Sequence, residues 1–366
     1  MAQWQVWLDD PTGNRLALLD GLLGLSVSMI ANDIGAFEVV LPEDFDASLI
    51  RLDSLIEFWR APEGGTFRLV RVGMVRKWVY SEDDDGNEFL IISGPDQMEL
   101  LNRRIVGYAA GTGPTSKNTE ADDLIKAVAR ENLGSSATAA RDLSSFNFTV
   151  APDLSLGPVI ERKFAWQTVM TVLQAAADAS GQAGTDLYFV LHPVLVSETQ
   201  LGFDLRTYIN QIGMDVSASI FFGKEWGNLA NPKLEQDYSE EINYVYVGGQ
   251  GEGSDRNTLE RQDAARIGVS PWNRREVFVD ARNETSTAGL TAKGDAALQA
   301  SRPRLRFSGA LLDTEQTRYG IDWQFGDKVT VEYRGYQFSG MIRAARLELN
   351  DDGDETVDCK VETEVS

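Results

Sequence analysis

The chain of 366 residues has one cysteine, Cys359, and one histidine, His192. A single cysteine excludes an intrachain disulfide framework and suits folding in a reducing cytosol. One of each also excludes a zinc site of four side-chain nitrogen and sulfur ligands. No run of about 18 apolar residues is present to span a bilayer, and the start, MAQWQVWLDD, lacks the basic and apolar regions of a signal peptide. Synthesis in the cytoplasm without membrane insertion is therefore expected. Basic residues are also scarce, 34 Lys and Arg against 56 Asp and Glu, which leaves a formal charge of −22. That balance disfavours a grip on phosphate backbones, where cationic side chains must replace counterions. Nucleic acid can pass such a surface without being held.

What is present is globular: 43% of residues are hydrophobic and 25% charged, and the length calls for two or three cores. The first hundred residues read as β. Strands are expected at Trp4 to Leu8, Leu25 to Ile30, Ala36 to Leu41, Leu55 to Trp59, Phe67 to Val79 and Phe89 to Ser93, with an Asn32-Asp33-Ile34-Gly35 turn. After Arg103 a Gly, Thr and Ser-rich link, Gly107 to Ser116, leads to a capping-box-like start at Thr119 and a helix carrying Leu124, Ile125, Val128 and Ala129. A second helix is expected from Phe164 to Ala179, with Trp166, Val169, Met170 and Leu173 on one face. Phe146 to Val150, Leu187 to Leu191 and Ser217 to Phe222 read as strands of this middle region. From Ile242 the pattern returns to β, with a Gly-rich loop at Gly248 to Asn257, a helix at Leu290 to Ser301 and strands from Arg304 onward.

Two stretches match one another. DSLIEFWR from Asp53 and DKVTVEYR from Asp327 share an acidic start, a strand-forming run and a closing arginine. Each leads through a short turn into a long strand, in which Val70-Arg71 is matched to Ile342-Arg343. Each then reaches an acidic Gly turn, Glu82 to Glu88 and Asn350 to Glu355. The reading is mainly β with α+β: a first β-barrel domain over 1–104, an α+β insertion over 105–225, and a second, related β-barrel domain with one helix over 226–366.

Within the first copy, SMIANDIGAFEVVLPEDFDASLIRLDSLIEFWR, Ser28 to Arg60, resembles the N-terminal module of tail hub proteins (minor tail or baseplate hub proteins) of long-tailed bacteriophages. A strand, an Asn-Asp-x-Gly turn, a strand ending at Leu-Pro and an Ile-x-Phe strand recur there. Asp53-Ser54 departs from the pattern, which has a Gly before the strand. The resemblance implies a structural virion protein: a homotrimer whose six barrels form a pseudo-sixfold ring at the tail tip. The ring would end the tail tube and provide the DNA ejection channel. It further implies contacts with a distal tail or tail tube protein, the tape measure protein and a central fibre or spike. DNA would pass without specific binding, along a lumen wall expected to carry excess Asp and Glu. Any wall-degrading activity is expected on another protein.

No catalytic, metal or cofactor-binding residue is assigned. His192, in LYFVLHPVLV, reads as a structural histidine near a strand end rather than a base. The acidic turns do not place ligands at EF-hand spacing and read as solvated hairpin turns. GGQGEG, Gly248 to Gly253, follows a strand but leads into no helix, so it is not a dinucleotide loop. Cys359 alternates with Val357 and Val361 and reads as a packed small hydrophobe. The eight tryptophans are expected chiefly in cores. The alternative reading is a carbohydrate-binding or glycan-cleaving β protein.

Overall fold

The structure, a computed structural model, describes residues 2–108 and 113–365. Residues 109–112 of the Gly107 to Ser116 link therefore lie outside the described residues. The chain opens with β1 (Gln3–Asp9), β2 (Arg15–Leu18), β3 (Gly24–Ile30), β4 (Ala36–Pro42), β5 (Leu55–Ala61), β6 (Arg68–Met74), β7 (Lys77–Glu82) and β8 (Glu88–Pro95). A middle stretch adds α1 (Glu99–Asn102), β9 (Ile105–Val106), β10 (Thr115–Glu120), α2 (Ala121–Asn132), β11 (Phe148–Val150), β12 (Val159–Phe164), β13 (Gln167–Thr168), α3 (Val169–Gln182), β14 (Leu187–Ser197) and β15 (Gln200–Ile209). Next come β16 (Phe221–Gly223), β17 (Leu229–Asp237), β18 (Tyr244–Gly248), β19 (Thr258–Gln262), α4 (Ala264–Ile267), β20 (Glu276–Asp280) and α5 (Thr287–Ala300). The last four strands are β21 (Arg304–Leu311), β22 (Lys328–Tyr333), β23 (Tyr336–Leu349) and β24 (Glu355–Val365). The mainly β expectation is met, with 45% strand and 17% helix.

Two compact units are present. One is built from residues up to Pro232 and from Ser308 to Thr363, the other from Lys233 to Phe307. In the first unit a sheet β2-β1-β5-β6 faces the larger path β17-β21-β24-β23-β3-β4-β8-β7. Alternation decides which residues lie between the layers. Val6, Leu8, Ile56 and Phe58 from one sheet meet Val27, Val39, Leu41, Leu90 and Ile92 from the other, and each is at most 1% exposed. Burying each such side chain contributes about 1.5–3 kcal/mol. A bridge between Gly73 and Asp96 joins the two layers at one corner. This corner leaves no space beside Gly73, where a Cβ would lie 2.2 Å from the Phe37 ring.

The large path contains the same arrangement twice: β3-β4-β8-β7 and β17-β21-β24-β23. Register makes the match specific. Lys77 pairs with Ser93 and Glu82 with Glu88, while Ala344 pairs with Lys360 and Leu349 with Glu355. Gly73-Met74-Val75-Arg76 thus stands where Gly340-Met341-Ile342-Arg343 stands. The Val75 amide donates to the Ser54 carbonyl at 2.9 Å, and the Ile342 amide to the Asp327 carbonyl at the same distance. Sequence matching placed Val70-Arg71 against Ile342-Arg343. The backbone shifts the frame, because the ladder between β5 and β6 skips a residue opposite Phe58 and Trp59, and the loop after β5 is longer than its counterpart. The single strand expected from Phe67 to Val79 is two strands, β6 and β7, which serve different sheets. β23 does both tasks unbroken, pairing with β22 through its first half and with β24 and β3 through its second, across a register shift between Ile342 and Ala344.

Between the copies, α2 and α3 pack on the β11-β15-β14 sheet through Leu124, Ile125, Val128, Val172 and Leu173, all fully buried. The second helix begins at Val169 rather than Phe164. Thr168 caps it by accepting from the Thr171 amide at 3.2 Å, and Trp166 precedes it at φ 59°. The first helix begins at Ala121, with Thr119 and Glu120 still in β10 and no capping-box bond. The strand expected from Ser217 is confined to β16.

In the second unit β18 is central, antiparallel to β19 and parallel to β20, and α5 covers one face through Leu290 and Leu298 against Val245 and Val247. The chain departs for this unit along β17 and returns along β21. In the first copy the corresponding strands, β3 and β4, are joined only by Ala31 to Gly35.

Candidate assembly surface

Three hairpins end in one five-residue design. Asp10, Asp83 and Asn350 each use a side-chain oxygen to hold the amide four residues on, at 3.0, 2.9 and 2.8 Å. The fourth residue is in every case a left-handed glycine, Gly13 at φ 85°, Gly86 at 85° and Gly353 at 82°. Burial raises the Asp10 pKa, but the hydrogen bonds from Asn14 and Thr12 together outweigh it and bring it to about 2. The acid-rich turns found in the sequence thus spend their first residue on turn geometry.

β4, β7 and β23 run in one direction, so their ends meet at one rim of the sheet, together with the start of β3. The connections 19–23, 43–46, 83–87 and 350–354 at that rim contain ten acidic side chains and no basic one. The open face of the sheet is different. Across the strands whose register is described, Glu38, Glu348 and Asp358 are balanced by Lys77, Arg346 and Lys360. Arg346 pairs with Glu348 at 2.5 Å. A shallow hollow of about 340 Å³ lies here, lined by Ser26, Glu38, Val40, Arg346 and Glu348 among others. Among these described positions acidic and basic side chains are equal in number, and the acidic excess is concentrated at the rim.

The Asn32-Asp33-Ile34-Gly35 turn has a clear task. Asn32, left-handed at φ 58°, donates from Nδ2 to the Leu187 carbonyl at 3.0 Å and accepts from the Phe189 amide at 2.8 Å. Its side chain thus serves β14 as another strand would. Gln174 donates to the Asn32 carbonyl at 3.0 Å. Gly35 has no alternative, since a Cβ there would lie 2.1 Å from the Ser28 carbonyl oxygen.

Buried charges tie the layers together. Arg71 meets Asp96 at 2.6 Å, and Lys126 meets Asp122 at 2.8 Å. Asp122 also accepts from the Leu156 amide at 2.5 Å, which holds the loop before β12. Arg60 and Trp4 of the first copy donate to Glu355 of the second at 2.7 and 2.8 Å. Asp9 is fully buried beside Glu57, which Arg15 and Trp59 hold, while neither carboxyl oxygen of Asp9 has a hydrogen-bond partner among the described residues. Burial, then the neighbouring Glu57, raises the Asp9 pKa to about 9, so Asp9 is protonated at neutral pH. The sequence offered no sign of these buried charges: Asp9, Glu57, Arg60 and Arg71 sit in strands whose neighbours alternate normally, and Asp122 and Lys126 in an ordinary amphipathic helix.

The single histidine lies mid-strand in β14, half-buried, with Nε2 2.7 Å from the Tyr208 hydroxyl. Burial, then Arg206 and Arg71, lowers its pKa to about 4 and keeps it neutral. Cys359 is fully buried between Val357 and Val361, and burial raises its thiol pKa. Gly248 to Gly253 leads through a short turn into β19, with the Gly249 amide bonded to the Asn257 carbonyl at 2.7 Å. The tryptophans depart from expectation. Trp323 is 1% exposed against Phe222 and Tyr319, whereas Trp78, Trp166, Trp226 and Trp272 are 44, 63, 52 and 89% exposed. Trp166 and Trp226 each lean on a single ring, Tyr108 and Phe221, and Trp78 lies on β7 at the end of its sheet.

Comparison with solved structures finds the same fold in tail proteins. The 43 kDa tail protein of prophage MuSo2 from Shewanella oneidensis is 14% identical with a TM-score of 0.58, covering 98% of this chain and 97% of that one. A tail protein from Neisseria meningitidis MC58 is 16% identical with a TM-score of 0.52, covering 98% and 96%. Prophage tail protein gp18 from Listeria monocytogenes EGD-e is 12% identical with a TM-score of 0.54, covering 98% and 94%. Comparison with curated proteins gives no match. The family model described as Siphovirus ReqiPepy6 Gp37-like protein matches residues 3–361, so the chain belongs to that bacteriophage family.

Proposed function

We propose that the protein is the tail-tip hub of a long-tailed phage, a structural rather than catalytic component in which three chains form a pseudo-sixfold ring. The observation that carries this is the doubled strand order with one shared register inside a single sheet. Two like copies per chain turn threefold closure into six similar positions, and cyclic closure is common among homo-oligomers. In this reading the open sheet face is the channel wall. Its balanced charge lets DNA slide without adhesion, and the acidic rim repels phosphates at one mouth. A distal tail or tail tube protein and the tape measure protein would meet one side of the ring, a central fibre or spike the other, in the virion.

Size-exclusion chromatography with light scattering and negative-stain imaging test this directly. A trimer forming rings is expected. A strict monomer at all concentrations overturns the reading, and a monomer that also binds oligosaccharides would favour the carbohydrate-binding alternative.

A further inference from the structure

Within the chain, the second copy joins the first where β23 pairs with β3, Ala345 against Met29 and Leu347 against Val27. There Ala345 is 2% exposed and Leu347 fully buried. The next strand begins with Glu355, which Arg60 and Trp4 hold as described above. The first copy has the same positions without the cover. Trp78 stands for Ala345 and Tyr80 for Leu347 on β7, an edge strand of the large path, and they are 44 and 67% exposed. Glu88 stands for Glu355, is exposed, and its carboxylate has no partner among the described residues. An edge strand with bare aromatics is a template for pairing unless something covers it.

We propose that β7, with Trp78, Tyr80 and Glu88, is the face by which the first copy of one chain docks on the second copy of another, and that Glu88 there meets Arg334 of that neighbouring copy. This rests on the ring reading and specifies its contact. The occupant follows from continuity. The free edge at the other end of the path is β17, which holds in the second copy the place of β3 in the first. Arg334 lies one residue beyond the strict counterpart of Arg60, at the exposed tip between β22 and β23, and is likewise unpartnered among the described residues. A chain of charge −22 repels its own copies, so a local base opposite Glu88 sets the orientation of approach. Pro232, lacking an amide, and left-handed Asn231 interrupt β17. Side chains therefore carry more of this junction than ladder bonds do.

The test uses the full chain, with dissociation followed by light scattering and native mass spectrometry. Glu88→Arg and Arg334→Glu should each weaken assembly tenfold or more, and combining them should restore it. Tyr80→Lys should also weaken it. Circular dichroism should stay unchanged, because all three sites are exposed. If the parent is a trimer and none of these variants shifts its dissociation, the docking face is overturned while the ring reading stands. If the parent never assembles, both fall.

Discussion

Asp53 occupies in the first copy the position Gly326 occupies in the second, left-handed at φ 64° against 87°. Each amide donates to its matching strand, Asp53 to the Val75 carbonyl and Gly326 to that of Ile342, both at 3.1 Å. The missing glycine is thus a missing residue type and not a missing conformation.

A backbone held left-handed costs a residue with a Cβ about 1–2 kcal/mol. Asp53 offsets this by pairing with Arg76 and Arg103 at 2.9 Å each, in partly exposed positions. Asp53→Gly should therefore change stability by less than about 1 kcal/mol. Gly326→Ala should destabilise by about 1–3 kcal/mol, since its Cβ would lie 2.8 Å from that of Ile212. Urea denaturation of the two variants checks the asymmetry.

Asn32→Ala removes both side-chain bonds to β14 and leaves the Phe189 amide and the Leu187 carbonyl without those partners. The expected loss is about 1–3 kcal/mol. Amide hydrogen exchange should quicken at Phe189, which Asn32 protects. Unchanged exchange there would mean the turn does not anchor the middle region.

Removing one member of the Arg60–Glu355 pair strands a charge that is 4 or 9% exposed. Arg60→Met or Glu355→Leu alone should cost about 3–5 kcal/mol, and the two together much less than their sum. A double-mutant cycle measures this coupling between the copies.

Asp9 has a folded-state pKa of about 9, above its ordinary value of 3.8. The folded chain therefore binds more protons than the unfolded one between these limits. This contribution is fully present below about pH 4 and is lost as pH rises toward about 9. Asp9→Asn mimics the protonated form, so its melting temperature should fall less than the parent's between pH 5 and 9, a window set by that pKa. A gain of a few degrees over the parent near pH 8 is expected, and parallel pH profiles would exclude Asp9 as the source.

Much of the fold was legible because alternation and turn chemistry are local. Val6 and Leu8, or Val245 and Val247, announce their buried faces within a few residues. The hairpin at Asp83 to Asn87 is written in Asp and Gly. The frame of the repeat was harder to read, because an irregular ladder in β6 is fixed by the sheet opposite and not by its own sequence. Trp166 fitted a helical face as well as Met170 does, yet Thr168 starts the helix after it. The candidate assembly surface was partly legible. The family motif at Asn32 could be recognised, but its bonds to β14 join residues 155 and 157 positions apart. The bare aromatics on β7 could be told from core tryptophans only once the strand order made β7 an edge.

The departure along β17 and return along β21 has its own consequence. Where one copy has a five-residue turn, the other carries an entire small fold, held by two adjoining strand ends that any compact module with neighbouring termini can satisfy. The site is a natural grafting point. A module of another kind could be seated there while the ladder from β21 to β7 keeps its order and its register.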